Sequence, residues 1–206
     1  MSFLTHTFGH ENSWAKFKKE DGSPLRPFTS TEEMNETMVE RWNAVVTPQD
    51  TVYHLGDVVI NKRYLDVVRR LNGKKRLIRG NHDIFKDEQY REVGFQKIYG
   101  VRVFVDRYIF SHIPLHPDCV TERFRVNVHG HLHANNVMWK TIKSNKDGVI
   151  YSSVEEDPRY HCVCVEQTDF RPVSFDELDA RIEKQWELAN YTPPKNAGWG
   201  NGSGPG

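Results

Sequence analysis

Between Thr51 and His133, four strand-like runs each end on a small or polar residue followed by side chains able to hold a metal. Thr51-Val52-Tyr53-His54-Leu55 runs into Gly56-Asp57, and Arg76-Leu77-Ile78 runs into Gly80-Asn81-His82-Asp83. Residues 107–110 run into Ser111-His112, and Arg125-Val126-Asn127-Val128-His129 runs into Gly130-His131-Leu132-His133. Strands of one sheet end together at one edge, and α/β proteins place their chemistry on the loops there. Singly, each ending has a plain explanation: Gly, Asn and Asp are turn residues, and Ser-His is ordinary polar surface. In succession, each after an apolar run, they constrain the chain to a fold whose strand ends gather these side chains.

The gathered set is one aspartate (Asp57), one asparagine (Asn81) and three histidines (His112, His131, His133). It mixes oxygen and nitrogen donors without a thiolate, which suits Mn, Fe or Zn better than Ca or Mg. His131 and His133 are two residues apart, so an extended backbone would send them to opposite sides. A turn would let each face a different metal. Gly80 permits the backbone turn that delivers Asn81, His82 and Asp83 at one loop tip.

The remaining sequence supports a single soluble domain. The chain has 206 residues with 37% apolar and 27% charged content, which fits one globular unit. Lys+Arg and Asp+Glu are both 28, so no overall basic field supports a nuclease, and nucleic acid as a partner is left open. No apolar run reaches the roughly 18–20 residues a membrane helix needs. Met1-Ser2-Phe3-Leu4-Thr5-His6 lacks the basic-then-apolar order of a signal peptide. Of three cysteines, Cys162 and Cys164 alternate along an expected strand over 160–166. Neighbours on one strand face are poorly placed to bridge, so reduced thiols and a cytoplasmic location are expected.

Helices are expected after Ser30-x-x-Glu33, with Met34, Met38, Trp42 and Val45 on one face, over 64–71, over 84–94, and after Ser174-x-x-Glu177. Further strands are expected at 3–10 and 101–105, and residues 141–159 are expected to be loop. The domain is expected over 1–190, with a disordered Gly-rich tail over 191–206.

In their order and spacing, Gly56-Asp57, Gly80-Asn81-His82-Asp83, Ser111-His112 and Gly130-His131-Leu132-His133 resemble the motifs of the calcineurin-like metallophosphoesterases. The similarity runs from about residue 3 to about residue 180 and is nearest to small bacterial and bacteriophage members. It implies an α/β fold, a four-layer αββα sandwich of two mixed β-sheets flanked by helices, with two divalent metals at the strand ends. It implies Asp57 as the bridging carboxylate, Asn81, His112 and His131 on one metal, and His133 on the other. His82 would stand beside the leaving group, oriented by Asp83. The implied activity is a metal-dependent phosphoesterase hydrolysing a phosphomonoester or phosphodiester, with a phosphate-ester small molecule or nucleotide as substrate.

One motif departs. The family opens with Asp-x-His, where this chain has Thr5-His6-Thr7, followed by the matching Phe8-Gly9-His10. Two ligands of one metal are therefore missing, so one tight metal and a second weak or absent one are expected. His10 matches a histidine that related sequences carry and is a candidate for substrate binding. The alternative reading is a non-catalytic binding module that retains the phosphoesterase fold. Thr5 and Thr7 favour it, and the intact state of every other motif opposes it.

Overall fold

The computed structural model describes residues 1–5, 18, 22–104, 107–120 and 124–193. Five strands form the first sheet in the order β11-β1-β2-β3-β4, comprising β1 (Ser2–Thr5), β2 (Thr51–His54), β3 (Lys74–Ile78), β4 (Phe95–Tyr99) and β11 (Val173–Ser174). Four strands form the second in the order β10-β7-β6-β5, comprising β5 (Val101–Phe104), β6 (Tyr108–Ser111), β7 (Val126–His129) and β10 (Tyr160–Cys162). Each sheet is parallel except for one antiparallel edge strand, β11 in the first and β5 in the second. The α/β arrangement of two mixed sheets with flanking helices is the one expected.

Register sets the position of the site. His54 of β2 pairs with Leu77 of β3, and Ser111 of β6 pairs with His129 of β7. The four strands that precede the candidate residues therefore end at matching heights within their sheets. All four residues of β6 and of β7 are buried, as expected for parallel strands covered on both faces.

Two cores hold the layers. Val52 and Leu77 pack with Met34, Met38 and Trp42 of helix α1 (Thr31–Val45) and with Tyr90 of helix α2 (Asp87–Glu92). On the other side Tyr53 and Ile78 meet Phe110 and Val128 of the second sheet, with Leu178 and Ile182 of helix α3 (Phe175–Leu188). Successive residues of β2 and β3 thus serve opposite cores, following the two-residue period of a strand. Both expected caps are present. Ser30 Oγ accepts from Glu33 N at 3.0 Å and Ser174 Oγ from Glu177 N at 3.1 Å. The Glu33 carboxylate also reaches back to accept from Thr29 N at 2.7 Å.

Several expectations need correction. Residues 141–159 are loop only at 145–149 and 157–159. Strands β8 (Met138–Ser144) and β9 (Ile150–Glu156) form a separate antiparallel hairpin. The hairpin buries neither face, so no apolar alternation marks it. Its signal is the Asn145-Lys146-Asp147-Gly148 turn, where Gly148 takes φ +79° and Asn145 Oδ1 accepts from Asp147 N and Val149 N. The helix expected over 64–71 is a 3-10 helix at Lys62–Arg70. Leu65, Val68 and Leu71 recur every three residues, the 3-10 period. The strand expected over 160–166 stops at Cys162, and Val165–Gln167 is a 3-10 turn. Cys162 and Cys164 are buried and unbridged, and Cys119 is exposed and unbridged. Helix α2 covers only the middle of 84–94. The expected strand at 3–10 is present at Ser2–Thr5, and that at 101–105 at Val101–Phe104. Residues 6–10, Val105 and the tail from 194 lie outside the described residues.

Candidate metal centre

His112 is the centre of the arrangement. It follows β6 directly, is buried, and its Nδ1 lies 2.7 Å from the carbonyl of Leu55, which follows β2. A carbonyl only accepts, so Nδ1 carries the proton and Nε2 is left with its lone pair. This bond also ties one sheet to the other. Nε2 faces Asn81 Oδ1 at 2.8 Å, His131 Nδ1 at 3.2 Å and Asp57 Oδ2 at 3.3 Å. Asp57, His112 and His131 each offer a ligand atom within 4.8 Å of the others.

The backbone reaches this geometry through unusual conformations. Asp57 sits at φ +52°, His131 at +66° and His133 at +55°. Non-glycine residues held there carry about 1–3 kcal/mol of strain each, and such strain gathers at functional sites. The local turn at Gly130-His131-Leu132 is closed by Leu132 N donating to Gly130 O at 2.7 Å.

Asp83 fastens the two loops of the first sheet. Its carboxylate is buried and accepts from Asp57 N (2.8 Å), Val58 N (2.9 Å), Gly80 N (2.8 Å) and Tyr90 Oη (3.2 Å). Burial raises its pKa, and the backbone donors offset part of that rise. His82 stands at the exposed loop tip, and its amide donates to Asp57 Oδ1 at 2.9 Å. Asp57 therefore offers one oxygen to His82 and turns the other toward His112.

Electrostatics follow the crowding. Burial works against the Asp57 charge, yet the His112 contact outweighs it and lowers the carboxyl pKa. Burial works against a proton on His112, yet Asp57 raises its pKa on balance. His131 is lowered by burial and by the neighbouring His112. Were Nε2 of His112 protonated as well, its single proton could satisfy only one of the acceptors around it. A divalent cation would satisfy all of them, and the mixed O/N donor set suits a transition metal.

His133 is placed differently from the other four. Its ring Nδ1 lies 2.9 Å from Glu166 Oε1, and it is not part of the Asp57-His112-His131 group. Glu166 is paired in turn with Arg26 at 2.6 Å. Burial pushes the Glu166 carboxyl up, but the His133 hydrogen bond and the Arg26 charge bring it down to about 2. Sequence reasoning missed both partners. Glu166 is a lone charge at the end of an apolar run, and Arg26 stands between prolines in a loop. His10, the candidate for substrate binding, lies outside the described residues, as do His6 and Thr7.

A cavity of about 420 Å³ lies elsewhere, between Asn136, His161 and α3 residues Lys184 and Gln185, and holds none of the converging atoms. Ligand chemistry, not volume, marks the site.

Comparison with known proteins places this geometry. The chain matches the family described as Calcineurin-like phosphoesterase over residues 28–179. It is similar to the uncharacterized protein MJ1445 of Methanocaldococcus jannaschii, 31% identical over 168 residues, covering 77% of this chain and 81% of that protein. It is also similar to the crystal structure of AQ665, a protein of unknown function from Aquifex aeolicus, with TM-score 0.57 and 25% identity, covering 88% of this chain and 98% of that one. The family match begins beyond Thr5 and Thr7, so it takes in the four later strand endings, and with them the chain belongs to the calcineurin-like phosphoesterase family.

Proposed function

We propose that this chain is a metal-dependent phosphoesterase that hydrolyses a phosphomonoester or phosphodiester, a small phosphate ester or nucleotide. The observation that carries the reading is the convergence of Asp57 Oδ2, Asn81 Oδ1 and His131 Nδ1 on His112 Nε2. Asp57, Asn81, His112 and His131 would hold one cation, and Asp57 with His133 would contribute to a second. When bound, such cations polarise phosphoryl oxygens and lower the pKa of water. His82, at the exposed tip, would donate to the leaving oxygen or balance the charge growing there. Asp83 acts at one remove, by holding the Asp57 and Gly80 backbones. With Thr5 and Thr7 in place of the first motif, the second cation is weakly held. Unbridged cysteines fit a reducing, cytoplasmic setting. Among the described residues no helix is long and apolar enough to cross a membrane.

The test is a metal assay joined to a small panel of phosphate monoesters, cyclic nucleotides and other diesters, with Mn, Fe or Zn supplied. Turnover should vanish on chelation and return with a transition metal. Asp57→Asn should be the most damaging single change, because it removes the shared charge at nearly constant volume. His82→Ala should lower turnover with metal content retained. A chain that binds metal at Asp57 yet hydrolyses nothing on the panel would instead support the non-catalytic reading that Thr5 and Thr7 favour.

A further inference from the structure

Outside the converging cluster, His133 is held more firmly than a loop residue needs. Its backbone sits at φ +55°. Its carbonyl accepts from Gln167 Nε2 at 2.8 Å and from Cys162 Sγ at 3.7 Å. Its ring Nδ1 meets Glu166 Oε1 at 2.9 Å. Glu166 and Gln167 lie on one short turn, Val165–Gln167, so a single element holds both ring and carbonyl. Behind Glu166, Arg26 Nε and Nη2 reach the same carboxylate oxygen at 2.8 Å and 2.6 Å. The side chains of Arg26 and Glu166 are 0% and 1% exposed. A charge so deeply buried is kept only against a partner.

We propose that Glu166, backed by Arg26, is a positioning residue that keeps the proton of His133 on Nδ1, so that Nε2 is the unprotonated nitrogen that would serve the second cation position. The chemistry is the general one of a carboxylate behind a ligating histidine: the acceptor fixes the tautomer and ring orientation and raises the basicity of the other nitrogen. A carboxylate cannot donate, so a bonded Nδ1 must carry the hydrogen. Arg26 keeps Glu166 in place without occupying the ligating face. The inference rests on the reading above that His133 faces a cation.

The experiment uses the full chain labelled with ¹⁵N-histidine, with His133→Gln identifying the His133 signals. In the metal-free protein His133 should be the Nδ1–H tautomer, and zinc should move Nε2. In Glu166→Gln the tautomer preference should relax, and the weaker of two zinc equivalents should lose about 10–100-fold in affinity, while the tighter one holds. Should Glu166→Gln fail to fold because Arg26 is left unpaired, the pair Arg26→Met with Glu166→Gln removes both charges and gives the same readout. An unchanged tautomer ratio, or equal weakening of both equivalents, would overturn the proposal. If zinc leaves Nε2 unmoved in the unmodified chain, the assignment of His133 to a cation fails, and the tautomer ratio still decides the role of Glu166.

Discussion

Gly56 and Gly80 meet backbone against backbone. A Cβ on Gly56 would lie 2.6 Å from Gly80 N, and one on Gly80 would lie 2.6 Å from Asp57 N and 2.9 Å from His112 Cε1. The loops after β2 and β3 can therefore close around His112 only if neither carries a side chain at this point. Gly56 also sits at φ +87°, a conformation that glycine adopts freely. Gly80→Ala should lower stability by about 1–3 kcal/mol through overpacking and cut metal affinity at least tenfold, because Asp57 and Asn81 would be pushed apart. Urea denaturation and metal analysis would check this. A Gly80→Ala protein with normal metal content would show that the loops can yield without losing the site.

Asp83 gives a second, more discriminating test. Its carboxylate serves three backbone amides and one hydroxyl. Asp83→Asn turns an amide NH₂ toward some of these donors and leaves buried N–H groups unmet, at about 1–3 kcal/mol each. It should lower both stability and metal content. Tyr90→Phe removes only the hydroxyl and should cost about 1 kcal/mol. If Asp83→Asn lowered turnover alone, with stability and metal unchanged, Asp83 would be orienting His82 rather than fastening the loops.

The contrast between these residues shows what could be read from the chain alone. Asp57, Asn81, His112 and His131 stood out because each follows an apolar run that forms a strand ending at a common edge. That information is local: residue type and period suffice. Asp83 was visible as a residue, but the direction of its carboxylate was not, because its partners Asp57 and Val58 lie 26 and 25 positions away. Glu166 and Arg26 are separated by 140 positions, and no periodicity links them. The hairpin at β8 and β9 was missed for the opposite reason. It buries neither face, so the alternation that announces a strand is missing.

Acid stability should bear the mark of His54. It is 1% exposed, and burial lowers its pKa to about 3, with the Asp57 charge pulling the other way. Its ordinary value is near 6.5, so below that pH the unfolded chain takes up a proton that the folded chain refuses. This contribution to stability is full above pH 6.5 and is lost as pH falls toward 3, at about 1.4 kcal/mol per pH unit. His54→Leu should flatten the slope of unfolding free energy by one proton between pH 6.5 and 4.5. The window stops there because Glu166, lowered from 4.5 to about 2, begins to lose its own contribution below that point. Urea titrations across the window would decide it. Equal slopes in both proteins would mean that His54 titrates alike folded and unfolded.

The broken first motif makes the last prediction. Thr5 ends β1, pairs in register with His54, and is 1% exposed, with its carbonyl accepting from Leu55 N at 2.7 Å. Its backbone is thus fixed beside the strand that leads to Asp57. An aspartate at position 5 would bring a carboxylate into buried surroundings, which destabilises a chain by several kcal/mol unless a cation answers it. Thr5→Asp with Thr7→His should therefore melt lower than the unmodified chain without metal and gain more in Tm when metal is added. A ligand at one hundred times its Kd contributes about 2.7 kcal/mol. The double variant should also hold its second equivalent more tightly and turn over faster. Thr5→Asp alone should lose stability with little gain in binding, because ligands of one site act together. Two tightly bound equivalents in the unmodified protein would refute the weak second site, and alanine at His6 and at His10 in turn would then show which of them had supplied the missing ligand.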